Sequence, residues 1–183
     1  MRKFTTRARI ATVVGGLAVI GTVTTGALAA NAATPAAPAP AAAKDVPRGL
    51  VQTSHLSIAA AQKAAQAALD AATKAGQHVS VAVVDRDGTT VLSLRGDGAG
   101  PQSPSSAQAK AFTAVSWNAK TSDLVGRLQQ NPTLKDIQGT LFLAGAVPVD
   151  AGTTPIAAIG VAGAPSGAQD ETFAQAGADA LTK

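Results

Sequence analysis

The sequence predicts an α+β domain in which a mostly antiparallel sheet packs against helices. Its segments follow in the order α-β-β-α-α-β-β-β-α, so hairpins and meanders predominate over strands that alternate singly with helices. The dipeptide Asp87-Gly88, between two runs of β-branched residues, is a strong signal for a two-residue hairpin turn. Strands joined in this way are antiparallel neighbours, so a doubly wound parallel sheet is not expected.

The first predicted helix covers residues 57–76 and is rich in alanine. Ser57 has the side-chain oxygen that caps a helix start, and Gly76 suits the left-handed turn that often follows a helix end. Small apolar residues recur at helical spacing along one face. We therefore expect this helix to pack closely against the sheet.

Five strands are predicted from apolar, β-branched runs. They are residues 78–86, 89–95, 140–145, 147–150 and 155–163. The helix after the second strand is expected to open at Ser105, where Gln108 completes a capping box, and to continue to about Lys120. A shorter helix over 123–130 follows it, and Ser166 is expected to cap the last helix.

The loop over residues 96–105 is rich in Gly and Pro and offers few side chains suited to catalysis. Its charges come from Arg95, just before it, and from Asp97. Surface loops of this kind often carry binding functions because a rigid scaffold positions them. We expect this loop to border a binding surface or a subunit surface, and the sequence leaves both possibilities open.

Residues 1–32 are predicted to be a cleaved export signal. The basic start MRKFTTRAR precedes an apolar run, and ALA or ANA near its end fits the small-x-small rule for cleavage. An uncleaved membrane anchor is the alternative, because the run is nearly long enough to span a bilayer. Residues 33–49 form an Ala/Pro spacer, and the folded domain is expected over 50–183. The protein is therefore expected to be secreted or extracytoplasmic.

Charge and cysteine content exclude several classes of site and partner. The chain has 15 Lys and Arg residues against 11 Asp and Glu residues. Arg2, Lys3, Arg7 and Arg9 lie in the predicted signal, so the mature chain has 11 charges of each sign and is formally neutral. Nucleic-acid binding is not expected, because it needs a basic surface. The absence of cysteine excludes disulfides and zinc–thiolate sites.

Catalytic constellations are weakly represented in the sequence. There is no cysteine nucleophile and no G-x-S-x-G elbow. Asp85 and Asp87 flank the predicted hairpin turn, where Asp serves turn chemistry. Asp170 and Glu171, the only glutamate, lie in the first turn of the last helix, where acids favour the helix dipole. A structural role is therefore favoured for these four acids, and a non-catalytic binding protein is favoured for the chain.

One face of the second helix carries a more informative set of residues. Lys110, Thr113, Trp117 and Lys120 are spaced by three, four and three residues, so they share a face. The indole offers flat apolar area and the two ammonium groups can pair with carboxylates, which suits a flat ligand with acidic tails. The alternative is a helix at the domain boundary, with lysines reaching towards water and a half-buried tryptophan.

Several segments together resemble the GlcG/HbpS-like family. They are LSIAAAQKAAQAALDAATKAG, VSVAVVDRDGTTVLSLRGDGA, AKAFTAVSW and, the most specific, GAVPVDAGTTPIAAIGVAGAPSGAQDETFAQAGADAL. Each segment alone is a weak signal, but their order is specific, and they span about 56 to 181. The resemblance implies a profilin-like α+β fold with a five-stranded antiparallel sheet. It also implies a homo-oligomer, plausibly an octamer.

The same resemblance implies a function. Extracytoplasmic members of this family bind haem, and some are accessory partners of a membrane sensor kinase in redox sensing. The helix carrying AKAFTAV is implicated in their haem site, and this segment contains Lys110 and Thr113. The expected cofactor is therefore haem, bound for sequestration or for haem and redox sensing with a two-component system.

Few residues could serve as an axial ligand to haem iron. The chain has two histidines, His55 and His78, no Tyr or Cys, and no Met beyond the first residue. Either histidine could instead be an ordinary boundary residue or a general base. We predict that Thr113, Lys110, Trp117, Lys120 and His78 bind the cofactor. Because acidic E-x-x-E pairs bind iron in some relatives and are absent here, the sequence assigns no metal ligands.

Two other functions remain open from the sequence. Some relatives occur beside catabolic genes, so a small-molecule or cofactor-handling enzyme of a catabolic pathway is the main alternative. The third possibility is an oligomer that binds only a protein partner. Haem titration, turnover of a small oxo- or hydroxy-acid, and co-purification with a kinase ectodomain distinguish the three.

Overall fold

The structure is a computed structural model that describes residues 49–182. The predicted signal over 1–32 lies outside this range, as does the predicted linker over 33–49 except for its last residue, so both stay predictions. Within the described range, no helix has the length and apolar character needed to cross a membrane.

Four strands form one fully antiparallel sheet. In chain order they are β1 (Ser80–Asp85), β2 (Thr90–Arg95), β3 (Ala146–Ala151) and β4 (Thr154–Ala162). Their order across the sheet is β2-β1-β4-β3, so β1 and β4 are central and the other two are edges. The antiparallel α+β prediction is confirmed.

The predicted strand over 140–145 does not form, so the sheet has four strands among the described residues, not five. This segment turns back on itself, with the Leu143 amide donating to the Leu141 carbonyl at 2.9 Å. The Leu141 amide donates instead to the Thr113 hydroxyl at 2.7 Å. The Phe142 ring of this segment packs on Trp117 of the helix that carries Thr113, and the segment does not extend the sheet. The profilin-like description stays an expectation of the resemblance.

Among residues 49–182, five α-helices pack around the sheet. They are α1 (Ile58–Lys74), α2 (Ser103–Trp117), α3 (Thr121–Val125), α4 (Arg127–Gln130) and α5 (Gly167–Asp179), and a 3-10 helix covers Pro132–Asp136. The caps predicted for the first and last helices are confirmed. Ser57 accepts a hydrogen bond from the Ala60 amide at 3.2 Å, and Ser166 accepts one from the Gln169 amide at 3.3 Å.

The predicted start of α2 is wrong by two residues. The helix begins at Ser103, and its first turn includes Pro104, which has no amide hydrogen to leave unpaired there. Ser105 therefore lies inside the first turn, where its hydroxyl donates to the Gln102 carbonyl at 3.0 Å. The capping box with Gln108 does not form.

The hairpin between β1 and β2 is longer than predicted. Four residues, 86–89, connect the strands, and a bulge shifts the register between Val83 and Val84. The Asp85 carboxylate accepts hydrogen bonds from the Asp87 and Thr89 amides, both at 2.9 Å. Gly88 takes the positive φ of 83° that the turn requires. The turn includes the predicted dipeptide Asp87-Gly88, but its hydrogen bonds are made by the carboxylate of Asp85.

The sheet is covered on both faces. Helices α1 and α5 pack on one face through alanines of α1 and the valines and isoleucine of β1 and β4. Helix α2 packs on the other face, where Ala111, Ala114 and Val115 meet Val84 and Ala158. The predicted close packing of α1 is confirmed, since its sheet-facing residues are fully buried alanines. The sheet is therefore the middle of three layers, with α1 and α5 on one face and α2 on the other.

Candidate functional site

Lys110 is buried and paired within the fold. Its ammonium donates to Oδ2 of Asp170 at 2.8 Å and to the Val161 carbonyl at 3.1 Å. The two side chains are only 5% and 4% exposed. Asp170 of α5 therefore supplies the carboxylate that this ammonium contacts in the folded chain, and cofactor binding by Lys110 stays a prediction.

Asp170 connects α5 to two other parts of the fold. Its Oδ2 accepts from Lys110, and its Oδ1 accepts from the Ala164 amide at 3.0 Å. Burial raises the pKa of this carboxyl above its ordinary value of 3.8, while the hydrogen bonds from Lys110 and from the backbone of Ala164 and Gly163 act in the opposite direction. Asp170 therefore has a structural role beyond its position in the first turn of α5, since it joins α5 to α2 and to the turn before α5.

Thr113 is also inside the fold. It is fully buried, its hydroxyl donates to the Ala109 carbonyl at 2.7 Å, and the same oxygen accepts from the Leu141 amide at 2.7 Å. Both hydrogen-bonding functions of the hydroxyl are occupied. Thr113 therefore attaches the 140–145 segment to α2, and its direct contact with a cofactor stays a prediction.

Trp117 and Lys120 lie nearer the surface. The Trp117 ring is half-buried and packs edge-to-face on Phe142, with 5.2 Å between ring centroids. Lys120 is exposed and lines an open cavity of about 500 Å³ with Ser122 and Glu171. Of the four predicted residues, Lys110 and Thr113 are buried, Trp117 is half-buried and Lys120 alone lines this cavity, so they do not form one accessible ligand face.

The Lys120 cavity has mixed polar walls. Glu171 accepts from the Ser122 amide at 3.0 Å and from its hydroxyl at 2.6 Å, so this carboxylate holds α5 against α3. The Thr121 hydroxyl and the Gly145 amide also lie 3.4 Å from Glu171. The predicted structural role of Glu171 is consistent with these contacts. They leave Lys120 as the charged wall residue without a recorded partner in residues 49–182.

His78 lines a different cavity, of about 340 Å³, at the start of β1. Its walls come from the end of α1, the turn after it and the loop after β2. They are Leu69, Thr73, Gly76, Gln77, His78, Arg95, Gly96 and Asp97. The volume is at the lower end of the range for small-molecule sites. This cavity joins the predicted cofactor residue His78 to the two charges that the sequence places beside the 96–105 loop.

The imidazole of His78 has a defined orientation. Its Nδ1 lies 2.7 Å from the Asp97 carbonyl oxygen. Because a carbonyl only accepts, Nδ1 carries the hydrogen, and in the neutral ring the lone pair is on Nε2. Nε2 has no hydrogen-bond partner within residues 49–182. A histidine whose other nitrogen donates to a backbone carbonyl has the arrangement common among metal-binding histidines.

Arg95 supplies the positive charge of the His78 cavity. Its Nε and Nη2 donate to the Ala99 carbonyl at 3.1 and 2.6 Å, which fixes the plane of the guanidinium. The remaining N–H groups can donate to an anionic group of a ligand. Leu69 adds apolar wall, and the Asp97 carboxylate lies on the same rim. The expectation that the loop borders a binding surface agrees with this geometry.

Leu69 and Thr73 of α1 are cavity residues that helical periodicity alone does not single out. Their side chains line the cavity since α1 ends beside β1. Residues 75–79 connect the two elements, and positive φ at Gly76 directs this short connection. The hairpin pairs the start of β1 with the end of β2. The sequence could therefore have predicted that His78 lies beside the Gly-rich loop over residues 96–105.

A second polar cluster joins His55 to the hairpin turn. Nδ1 of His55 lies 3.7 Å from Asp85, and its Nε2 lies 3.5 Å from Asp87 and 2.8 Å from the Thr53 hydroxyl. One ligand atom from each of His55, Asp85 and Asp87 can be chosen so that all lie within 4.8 Å, a spacing that could hold a metal ion. The contacts hold the segment before α1 against the β1–β2 turn.

Comparison with protein families gives one match that covers most of the described chain. The model described as "Haem degrading protein HbpS-like" matches residues 56–179. This range is nearly the one over which the sequence resemblance was recognised. No curated protein matches the chain.

Solved structures give further matches. A double glutamate-to-aspartate mutant of Streptomyces reticuli HbpS is 65% identical, with a TM-score of 0.72 over 76% of this chain and 97% of that chain. The Klebsiella pneumoniae protein ORFY is 30% identical, with a TM-score of 0.68 over 75% and 97%. A structure named as a PduOC complex with haem is 25% identical, with a TM-score of 0.64 over 69% and 95%.

Proposed function

This chain belongs to the HbpS-like family, and we propose that it is an exported haem-binding protein with His78 as the axial ligand. The family description and the haem complex of a 25% identical relative support haem as the cofactor. The N-terminal sequence supports export. The function is sequestration of haem, or presentation of its redox state to a membrane sensor kinase.

The observation that carries the proposal is the state of the His78 ring. The Asp97 carbonyl holds Nδ1 at 2.7 Å, so in the neutral ring Nε2 is the nitrogen that can bind iron beside the cavity. Neutral imidazole is a common axial ligand of haem iron. His55, the other histidine, has recorded contacts at both ring nitrogens. His78 therefore fits the iron better than His55 does.

The walls of the His78 cavity fit the other parts of haem. Leu69 offers apolar contact to the macrocycle, and the fixed guanidinium of Arg95 offers hydrogen bonds to a propionate. Bound haem would supply an iron centre whose visible absorption depends on its axial ligand. The small volume of the cavity suits a ligand that is partly exposed and exchanges, as sequestration or sensing requires.

The assembly and partner follow from the same proposal. A homo-oligomer, plausibly an octamer, would cover the exposed part of the ligand. Trp117, at the end of α2, and Lys120, just before α3, lie outside the His78 cavity, so we assign them to subunit or partner contacts. A sensor-kinase ectodomain is the proposed protein partner.

Replacing His78 with Ala is expected to weaken haem binding by at least about tenfold, since loss of a ligand costs no less than loss of a group that supports one. The measurement is a haem titration of the tag-free chain followed at the Soret band. His55→Ala is the matched control and should leave the affinity unchanged. Equal binding by the His78→Ala variant and the unmodified chain would contradict the ligand assignment. Absence of saturable binding to the unmodified chain would contradict the proposed function.

A second candidate function is degradation of the bound haem, which the family description favours. It would make the chain an enzyme, in line with the alternative that the sequence leaves open. With a reductant and oxygen present, a Soret band that decays and releases chelatable iron supports degradation. A band that persists supports binding alone.

A further inference from the structure

The turn between β4 and α5 lies directly against the backbone of His78. Gly163 has a φ of 131°, a conformation that favours glycine. A Cβ added to it would lie 2.5 Å from the His78 carbonyl oxygen and 3.0 Å from Cα of Val79. No side chain fits between the two segments. The position of residues 163–164 therefore constrains the backbone from which the His78 side chain projects.

A single carboxylate holds that turn. Oδ1 of Asp170 accepts the hydrogen bond of the Ala164 amide at 3.0 Å. Asp170 belongs to α5, so its hydrogen bonds fix the turn relative to the helix that follows it. Without this acceptor, a buried amide would lose its partner, and the turn would gain freedom to move.

Lys110 fixes the carboxylate in turn. Its ammonium reaches Oδ2 of Asp170 from α2, on the other side of the turn, and its second bond goes to Val161, near the end of β4. The contacts therefore run from Lys110 through Asp170 and the 163–164 turn to the backbone of His78. Each contact is a hydrogen bond or a van der Waals contact inside the fold.

We propose that Asp170 is a positioning residue for His78, and that Lys110 acts on the haem site only through it. The inference rests on the proposed function, since it assigns residues that support its ligand. It gives α2 a part in haem binding although Lys110 is only 5% exposed. Groups that orient a metal-binding histidine typically change metal affinity by about tenfold to a hundredfold.

Glu171 provides a structural comparison within the same helical turn. Like Asp170, it connects α5 to another element, but its partners are Thr121, Ser122 and Gly145. It makes no recorded contact with residues 163–164. A change at Glu171 should therefore loosen α5 without releasing the turn that holds His78.

Two double variants isolate the acceptor for Ala164. Lys110→Met with Asp170→Leu removes both buried charges and the acceptor, and apolar replacement of a buried pair is often tolerated. Lys110→Met with Asp170→Asn removes the same charges but keeps a carbonyl oxygen for the Ala164 amide. Glu171→Leu is the structural control. The readouts are haem affinity, His78 ring NMR signals without haem, and hydrogen exchange of the Ala164 amide.

The Leu double variant should bind haem about tenfold to a hundredfold more weakly than the Asn double variant. It should also show shifted His78 signals and faster exchange at Ala164, while Glu171→Leu resembles the unmodified chain in all three. Identical His78 signals and Ala164 exchange in the two double variants would overturn the inference. If the unmodified chain binds no haem, the proposed function fails, and the two haem-free measurements still decide the positioning role.

Discussion

Lys110→Met is expected to lower the free energy of unfolding by about 3–5 kcal/mol near neutral pH, because it leaves the Asp170 carboxylate buried without its cation. Asp170 is 4% exposed, so water cannot replace the ammonium. The Val161 carbonyl also loses a donor. Chemical denaturation followed by circular dichroism measures the loss.

The loss should depend on pH in a defined direction. The pKa of Asp170 in the folded chain is raised above 3.8 by burial, so between 3.8 and that raised value the folded chain holds a proton that the unfolded chain has released. Stability from this group is therefore present at low pH and is lost as pH rises through the window. Removing Lys110 raises this pKa further. The cost of Lys110→Met should thus be much smaller at about pH 4 than near neutrality.

Lys135→Met is the matched control for this prediction. Lys135 pairs with Asp136 at 2.7 Å, but both side chains are more than 60% exposed. Exposed pairs contribute about 0–1 kcal/mol, so this variant should be nearly as stable as the unmodified chain. A Lys110→Met variant that loses less than about 1 kcal/mol at neutral pH would contradict the account of the buried pair.

Gly160→Ala is expected to cost about 3 kcal/mol or more, because α2 lies directly on β4 at this residue. A Cβ there would be 2.2 Å from the Ala107 carbonyl oxygen and 2.8 Å from the Ala111 amide nitrogen. These are backbone atoms of α2, so relief requires the helix to move away from the sheet. Thermal unfolding should show a large decrease in Tm.

Gly126→Ala is the control for the glycine prediction. Gly126 has a φ of −62°, and the nearest atom to an added Cβ is 3.6 Å away. Alanine there should leave stability unchanged or raise it by about 0.4–1 kcal/mol, because alanine reduces the conformational entropy of the unfolded chain. If both variants were equally stable, the close packing of α2 on β4 would be wrong.

The sequence predicts much of the fold because its signals are local. The caps at Ser57 and Ser166 and the turn beside Asp87 depend on residues within a few positions of one another. The segment 140–145 has the apolar composition of a strand, but its placement depends on the Thr113 hydroxyl. That partner is 28 residues away, and periodicity carries no information about it.

The site is predicted less well because its contacts join residues that are far apart in the sequence. Helical spacing places Lys110 beside Thr113, but the burial of Lys110 depends on Asp170, 60 residues later. His78 was included in the predicted site, yet only the structure shows that Asp97 fixes its ring and that Arg95 lines the same cavity. A cation on an amphipathic helix looks the same in sequence whether it binds a ligand or a buried acid.

The central claim is that His78 provides the axial ligand to haem. The most direct measurement is the absorption spectrum of haem-loaded His78→Gly, recorded before and after addition of imidazole. We predict that the variant loses the histidine-ligated spectrum of the unmodified chain and that imidazole restores it by occupying the vacated position. An unchanged spectrum in His78→Gly, or a changed spectrum that imidazole does not restore, would contradict the claim.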